Sequence, residues 1–236
     1  MIYITGDTHG DHIRFIENNM GDDEWTEKDY LIVCGDFGFV FLNNDSEKEF
    51  LDFLEKKPYT ICFCDGNHEN FPAIFSYPKE LWNGGYVHRI RNNVLHLMRG
   101  QVFQIDGKKI FTMGGAYSID RYVRKLNFSY WKEELPNNQE YHEATNNLKE
   151  HNYAVDVIIS HTAPREIIRI MGMYPNAYDM ELTGFLEWIM YQVDFKHWYF
   201  GHWHLDKTFL DKYTAVFYTV HALENDASFC NLGNTQ

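Results

Sequence analysis

The chain of 236 residues carries 21 Lys and Arg against 34 Asp and Glu, a formal charge of −13. So acidic a chain disfavours a general nucleic-acid coat or an anionic membrane as partner, because both carry the same sign of charge. Hydrophobic residues make up 44% of the chain and aromatic residues 17%, which excludes a disordered protein. Twelve residues are His, the usual nitrogen ligand of divalent metals.

The sequence predicts a cytoplasmic protein with reduced thiols. Its N-terminus lacks the basic and apolar regions of a secretory signal, and no run of 18 apolar residues occurs. The four cysteines are Cys34, Cys62, Cys64 and Cys230. The first three lie in apolar runs, as core cysteines do, and none has the CxxC spacing of a redox or zinc motif.

Short apolar runs alternate with helical patterns in the first third of the chain. The predicted elements there are strands over Ile2–Thr5, Tyr30–Cys34 and Tyr59–Cys64, and helices over His12–Met20 and Ser46–Lys57. Ser46 is the expected cap of the second helix. Strands and helices in this order imply right-handed crossovers and a parallel sheet.

The rest of the chain predicts a second set of strands. They are Val87–Ile90, Val94–His96, Gln101–Ile105, Lys109–Met113, Val155–Ser160, Lys196–Phe200, Lys207–Leu210 and Ala215–Val220. Helices are predicted near Gln139–Glu150 and over Asp179–Val193, and Asp106-Gly107 is typical of a hairpin turn. The acidic runs Asp22–Glu24 and Glu133-Glu134 are expected to face solvent. No linker divides the chain, so we expect one α/β domain over residues 1–236, built on two sheets.

Five polar clusters each follow a predicted strand directly. In chain order they read Gly-Asp-Thr-His-Gly (6–10), Gly-Asp-Phe-Gly (35–38), Asp-Gly-Asn-His-Glu (65–69), Ser-His-Thr-Ala-Pro (160–164) and Gly-His-Trp-His (201–204). Ligands of open α/β sheets bind beyond the carboxyl ends of the strands, so the clusters are expected to meet at one edge. Tight, strained turns are expected at the glycines beside them, Gly6, Gly35, Gly66 and Gly201.

These clusters supply imidazole, carboxylate and amide groups together. That mixture suits Mn, Fe, Zn, Co or Ni, and does not suit calcium, which prefers oxygen alone. Seven potential ligands exceed the needs of one ion and match two ions that share a carboxylate. Two cations about 3.5–4 Å apart can hold a hydroxide and clamp the oxygens of an in-line phosphoryl displacement.

The five motifs, in this order, resemble those of the calcineurin-like metallophosphoesterases, and the resemblance runs from Ile2 to His204. It implies a four-layer α/β fold, in which two mixed β-sheets pack as a sandwich flanked by helices. It also implies a dinuclear metal site at the strand ends. The activity implied is metal-dependent hydrolysis of a phosphate ester, with manganese favoured.

Residue roles follow from the same resemblance. One metal would be held by Asp7, His9 and His204, and the other by Asn67, His161 and His202, while Asp36 would bridge both. A hydroxide between the ions would attack phosphorus. His68, which is next to a ligand, would protonate the leaving oxygen or steady the transition state.

The second motif departs from one branch of the family. Serine/threonine protein phosphatases continue it as Gly-Asp-x-Val-Asp-Arg-Gly, whereas this chain continues as Gly35-Asp36-Phe37-Gly38-Phe39-Val40. The Arg that helps to clamp phosphate in that branch is missing, which argues against protein phosphatase activity. Tyr117 or Arg121, after a predicted strand, is the candidate to bind substrate instead.

Several alternatives stay open at this point. The substrate is a small phosphomonoester or phosphodiester, nucleotide-like in character, and the oligomeric state is undetermined. A catalytically silent binding or scaffold protein on the same fold is the rival from another class, although every motif position holds a competent ligand. His12, Asp65 and Glu69 are either neighbours that orient the ligands or ordinary structural residues.

Overall fold

A computed structural model describes residues 1–223; Cys230 and the remainder of the expected domain lie outside the described residues. Thirteen strands form two mixed sheets in this part of the chain. The strands of the first sheet are β1 (Ile2–Thr5), β2 (Tyr30–Val33), β3 (Thr60–Phe63), β4 (Lys79–Trp82), β5 (Gly85–Arg91), β6 (Val94–Leu97) and β13 (His221–Leu223). Their order across this sheet is β13-β1-β2-β3-β6-β5-β4, with β1, β2, β3 and β6 parallel.

The second sheet is built from the following six strands. They are β7 (Val102–Ile105), β8 (Lys108–Met113), β9 (Val157–Ser160), β10 (His197–Phe200), β11 (Lys207–Phe209) and β12 (Tyr213–Ala215). Their order is β11-β12-β10-β9-β8-β7, with the four strands β8, β9, β10 and β12 parallel. The expected Asp106-Gly107 hairpin joins β7 to β8, and both of its residues have positive φ.

Alternating side chains build three hydrophobic layers. Between the sheets, Ile2 and Ile4 of β1 share a core with Val157 and Ile159 of β9, because every second side chain points to the same face. The cysteines expected in the core, Cys34, Cys62 and Cys64, are all buried in this layer.

Helices cover the outer face of each sheet. They are α1 (Asp45–Leu54), α2 (Phe71–Phe75), α3 (Asn138–Glu150), α4 (Arg165–Ile170) and α5 (Met180–Gln192). The first two pack on the first sheet through residues such as Leu51 and Ile74, and the others on the second sheet through residues such as Leu148 and Leu186. The expected four-layer α/β sandwich is therefore confirmed.

Some expected elements were wrong in extent. Only a 3₁₀ turn, His12–Phe15, forms where a helix to Met20 was predicted, because the backbone becomes extended at Ile16. The cap of α1 is Asn44, whose side chain accepts from the N–H of Glu47, so α1 begins one residue before Ser46. Strand β12 ends at Ala215, where a strand was expected to begin.

Four short elements had no signal in the apolar pattern. They are β4, β13, α2 and α4. Strand β4 is exposed or half-buried along its length, and α4 has only six residues, so neither gives a clear periodicity.

Two acidic residues that were expected to face solvent are buried instead. Asp22 accepts hydrogen bonds from the Tyr59 hydroxyl (2.6 Å) and from Nζ of Lys57 (2.7 Å). Glu134 is fully buried and accepts from Arg121. A carboxylate is tolerated inside a fold when such donors satisfy it, which a run of acidic letters does not reveal.

Candidate metal centre

The buried carboxylate of Asp36 lies between two groups of side chains at the strand ends. Its Oδ2 lies 3.8 Å from Nε2 of His9, and its Oδ1 lies 3.4 Å from Nε2 of His161. The loops after β1, β2 and β9 bring these three residues together, although up to 152 positions separate them in the chain (161 − 9 = 152). One oxygen of Asp36 therefore faces each group.

The first group consists of Asp7, His9 and His204. Nε2 of His9 and Nε2 of His204 are 2.9 Å apart, and Nε2 of His204 is 3.8 Å from Oδ1 of Asp7. Two nitrogens bound at right angles to one cation, each at about 2.0–2.1 Å, would lie about 3 Å apart. The ring of His204 is held by stacking on Phe217, with ring centroids 4.4 Å apart.

The second group contains His161 and Asn67. Nδ1 of His161 donates to the carbonyl of Cys34 (2.8 Å), which orients the ring so that Nε2 lies 3.1 Å from Oδ1 of Asn67. The amide of Asn67 is oriented because its Nδ2 donates to Oγ of Ser118 (3.0 Å). Nε2 of His161 thus faces two oxygens, those of Asn67 and Asp36, and these three atoms are candidate ligands of one cation.

Donor atoms in three overlapping sets lie within 4.8 Å of one another. The sets are Asp7 with His9 and His204, His9 with Asp36 and His68, and Asp7 with Asp36 and His161. His202 is outside these sets, but its main-chain N–H donates to both oxygens of Asp7 (3.0 Å each), and its ring centroid is 5.0 Å from that of His161. All seven residues expected as metal ligands therefore meet at one edge of the sheets.

The charge balance of the site favours a bound cation. Burial and the neighbouring Asp36 raise the pKa of Asp7 well above its usual value. Burial would also raise the pKa of Asp36, but His161, His68 and His9 outweigh that effect and hold it below its usual value. Burial lowers the pKa of His9 to about 4 and that of His202 to about 3, so both rings are neutral at pH 7, as metal ligands must be.

The backbone of the site is unusual. Of the seven expected ligands, five have positive φ, between 37° and 67°; they are Asp7, His9, Asp36, His202 and His204. Such values are uncommon outside glycine and cluster where a fold holds a functional group in place. The strain therefore coincides with the residues that the strand-end motifs supply.

His68 adjoins this site and touches an arginine. Its main-chain N–H donates to Oδ1 of Asp36 (2.7 Å), which fixes the loop after β3. Nη2 of Arg124 lies 2.7 Å from Nδ1 and 2.9 Å from Nε2 of the His68 ring. Burial lowers the pKa of His68, and Arg124 contributes to this shift whereas Asp36 opposes it.

The sequence model of the calcineurin-like phosphoesterase family matches residues 1–206 of the 236. The chain belongs to this family. No curated protein matches it well enough to give a narrower assignment. The family consists mainly of hydrolases of phosphate esters that bind divalent metals, and the side chains described above are candidate ligands for such ions.

The family's protein phosphatase branch departs from this chain after Asp36. Phe37, Phe39 and Val40 are all buried and pack in the core beneath α1. The segment that carries a phosphate-binding Arg in that branch therefore serves the hydrophobic core here.

The structure does not bring Tyr117 or Arg121 against the expected ligands. Arg121 donates to the buried Glu134 (2.7 Å), and its guanidinium lies 4.0 Å from the centroid of the Tyr117 ring. Tyr117 in turn stacks on Tyr178. Arg124, three residues further on, is the arginine that reaches His68. In the sequence it stands in the segment Arg-Tyr-Val-Arg-Lys (121–125), which carries no motif of the family.

The sequence left open whether three further residues orient the ligands or are ordinary structural residues. Glu69 accepts from the N–H of Phe37 (2.8 Å) and so supports the Asp36 loop. Asp65 instead pairs with the buried Arg99, whose Nε donates to it at 2.8 Å. His12 stacks on Phe50, with ring centroids 3.9 Å apart.

Arg14 is a support that sequence reasoning missed. It is buried, donates to the carbonyl of Gly6 (2.8 Å), and donates to Oγ1 of Thr5 (2.7 Å). These bonds hold the loop that carries Asp7. A lone Arg between apolar residues of a predicted helix gives no signal of such a role.

The glycines beside the ligands act differently from what was expected. Of the four, only Gly35 has positive φ (88°). A Cβ at Gly66 would lie 2.1 Å from Oδ1 of Asp36, and one at Gly201 would lie 2.4 Å from Oδ2 of Asp7. These two glycines are needed because the carboxylates pack directly against the backbone.

Proposed function

We propose that the protein is a hydrolase of small phosphate esters that works with two divalent cations, manganese by preference. The cations would be held by the two groups described above, with Asp36 shared between them. The proposed ligands are Asp7, His9 and His204 for one cation, Asn67, His161 and His202 for the other, and Asp36 for both.

The position of the Asp36 carboxylate supports this proposal most directly. Its two oxygens face His9 and His161, one each, which is the arrangement that a bridging ligand needs. The mixture of imidazole, carboxylate and amide donors suits Mn and its neighbours in the transition series. When bound, such cations supply Lewis-acid chemistry: they neutralise phosphoryl oxygens and make water nucleophilic near neutral pH.

The protein's own groups would bind and orient the ester. Arg124 is held by its own loop, since Nε donates to Asp120 (2.8 Å) and Nη1 donates to the carbonyl of Ser129 (3.1 Å). Its third nitrogen, Nη2, is left pointing at His68 and is placed to bind a phosphoryl oxygen.

His68 would act on the leaving group. It is neutral at pH 7 because its pKa is lowered, chiefly by burial, so one ring nitrogen carries a proton and the other accepts from Arg124. The N–H of the neutral His68 ring would donate a hydrogen bond to the leaving oxygen and stabilise the negative charge that develops there, and loss of one such donor typically costs about 10²–10³-fold in rate.

The experiment is hydrolysis of p-nitrophenyl phosphate and bis-p-nitrophenyl phosphate by the purified protein with Mn. We expect Asp36→Asn and His68→Ala each to lower kcat by at least about 100-fold. The matched controls are Asp52→Asn and His142→Ala, whose side chains lie away from the site. Equal rates in a site variant and its control would contradict the proposed roles.

A silent scaffold is distinguished by metal analysis. The hydrolase should retain close to two Mn ions per chain after loading and desalting, whereas a scaffold that has lost the site would retain almost none.

We also propose a cytoplasmic location and a single domain. No helix within residues 1–223 is both long and apolar enough to cross a membrane. The charge of −13 disfavours general binding of nucleic acid.

A further inference from the structure

Two clefts meet at His68. The first cleft is lined by His9, His12, Phe39, Phe41, Leu42 and His68, among others, and has a volume of about 450 Å³. The second cleft, of about 650 Å³, is lined by Asp36, Asn67, His68, Met173, Tyr174 and His204, among others. Because a phosphoryl group fills only a small part of either space, both clefts have room for organic groups.

The linings suit uncharged organic groups. Within the described residues, neither lining includes a Lys or Arg, and each includes a carboxylate, Glu47 in the first cleft and Asp120 in the second. Asp120 is paired with Arg124, and the carboxylate of Glu47 accepts from main-chain N–H groups. A second phosphate in either cleft would therefore lie near carboxylates, with no Lys or Arg in the described lining to bind it. A half-buried aromatic ring stands in each cleft, Phe41 in the first and Trp203 in the second, and these can pack on a planar group.

An arginine lies at the junction of the two clefts. Arg124 contacts His68, which both clefts share. A phosphodiester carries one negative charge and two organic groups, whereas a phosphomonoester carries up to two negative charges and one organic group.

We propose that the substrate is a phosphodiester with two uncharged, partly apolar or aromatic groups, one in each cleft. This inference rests on the proposed function, since it names the substrate class of the same site. It predicts that both clefts contribute to the binding of a diester, and that a monoester leaves one of them empty.

The test compares kcat/KM for bis-p-nitrophenyl phosphate and p-nitrophenyl phosphate with Mn present. We expect the diester to be preferred by at least about tenfold. Leu42→Asp in the first cleft and Tyr174→Asp in the second, both at exposed positions, should each lower kcat/KM for the diester about tenfold. Only one of these two variants should lower kcat/KM for the monoester, because the monoester occupies only one cleft.

Leu81→Asp is the matched control, because Leu81 is as exposed as Leu42 (66% and 67%) and lies on β4, outside both clefts. A monoester preference, or equal effects of both cleft variants on both substrates, would overturn the diester inference and leave the hydrolase in place. Absence of hydrolysis of either substrate by the Mn-loaded protein would overturn the proposed function itself, and this inference with it.

Discussion

At the scale of single residues, Arg124 shows how a cation can be prepared for a ligand in advance. Two of its nitrogens are bound within its own loop, by Asp120 and by the carbonyl of Ser129. Little side-chain freedom is then lost when the third nitrogen binds phosphate, so the interaction is stronger than one made by a free surface arginine. Arg121, one of the two residues that the sequence indicated for substrate binding, instead forms an ion pair with the buried Glu134.

Replacement of Arg124 tests this role. Arg124→Gln should lower kcat/KM about 10- to 100-fold, because a charge-assisted hydrogen bond to phosphate is lost. Arg124→Lys should recover only part of the loss, since an ammonium group cannot keep both loop bonds and still reach the site. Steady-state kinetics with the better chromogenic substrate measure both effects.

The control for Arg124 is its neighbour Lys125, which lies over the ring of Phe128 in the same loop. Lys125→Gln should keep kcat/KM within about twofold of the parent value, because Lys125 is exposed and salt screens the charge of an exposed side chain. A loss in Lys125→Gln as large as in Arg124→Gln would attribute the effect to the general charge of the loop.

At the scale of elements, the segment between β8 and α3 supports the metal centre from outside. Ser118 accepts from Asn67 through its hydroxyl, while its N–H donates to the buried Glu134 (3.2 Å). Glu134 is in turn bound by Arg121. The orientation of one proposed ligand thus depends on a chain of contacts within residues 118–134.

Ser118→Ala tests that support. Without its acceptor, the amide of Asn67 can rotate away from His161, and we expect affinity for Mn to fall about 10- to 100-fold. Calorimetric titration of the metal-free protein with Mn measures this directly. Ser76→Ala, at the end of α2, removes a comparable hydroxyl bond far from the site and should leave the affinity unchanged. If both variants bind Mn with equal affinity, Ser118 does not contribute to metal binding.

At the scale of the whole molecule, the strands that carry the ligands could be predicted because they are buried on both faces. Ile2–Thr5 and Val157–Ser160 read as continuous apolar runs, and the polar motifs follow directly at their ends. The contacts of Ser118 and Arg124 could not be predicted, since each joins segments more than 50 residues apart through a single side chain. Such contacts leave no periodic pattern.

In the metal centre, too, the residues could be predicted from the sequence but their spatial arrangement could not. Motif order indicated which seven residues would meet, but their distances depend on how far each loop turns back over its strand. Gly66 illustrates this, because the requirement for glycine comes from Asp36, 30 residues earlier in the chain (66 − 36 = 30), and not from the local turn. The sequence alone therefore predicted the candidate ligands, whereas of the side chains that support them it indicated only Glu69.

Buried histidines far from the metal centre make the stability of the whole fold depend on pH. His88 of β5 lies beside His96 of β6, with their Nδ1 atoms 3.0 Å apart. Burial, with contributions from His96 and Lys79, lowers the pKa of His88 to about 4, while Asp65 opposes the shift. The unfolded chain takes up this proton near the ordinary His pKa of about 6.5. Stability from the neutral ring is therefore present above that pH and is lost as the pH falls towards 4.

His88→Gln removes this titration. Between pH 7 and pH 5, we expect the variant to lose about 1 kcal/mol less unfolding free energy than the parent protein, after allowance for solvent screening. Urea unfolding in a metal chelator measures the difference without interference from cation binding. His142→Gln, at an exposed position, should show the same pH dependence as the parent protein. If the two variants respond alike to acid, His88 does not contribute to the acid sensitivity of the fold.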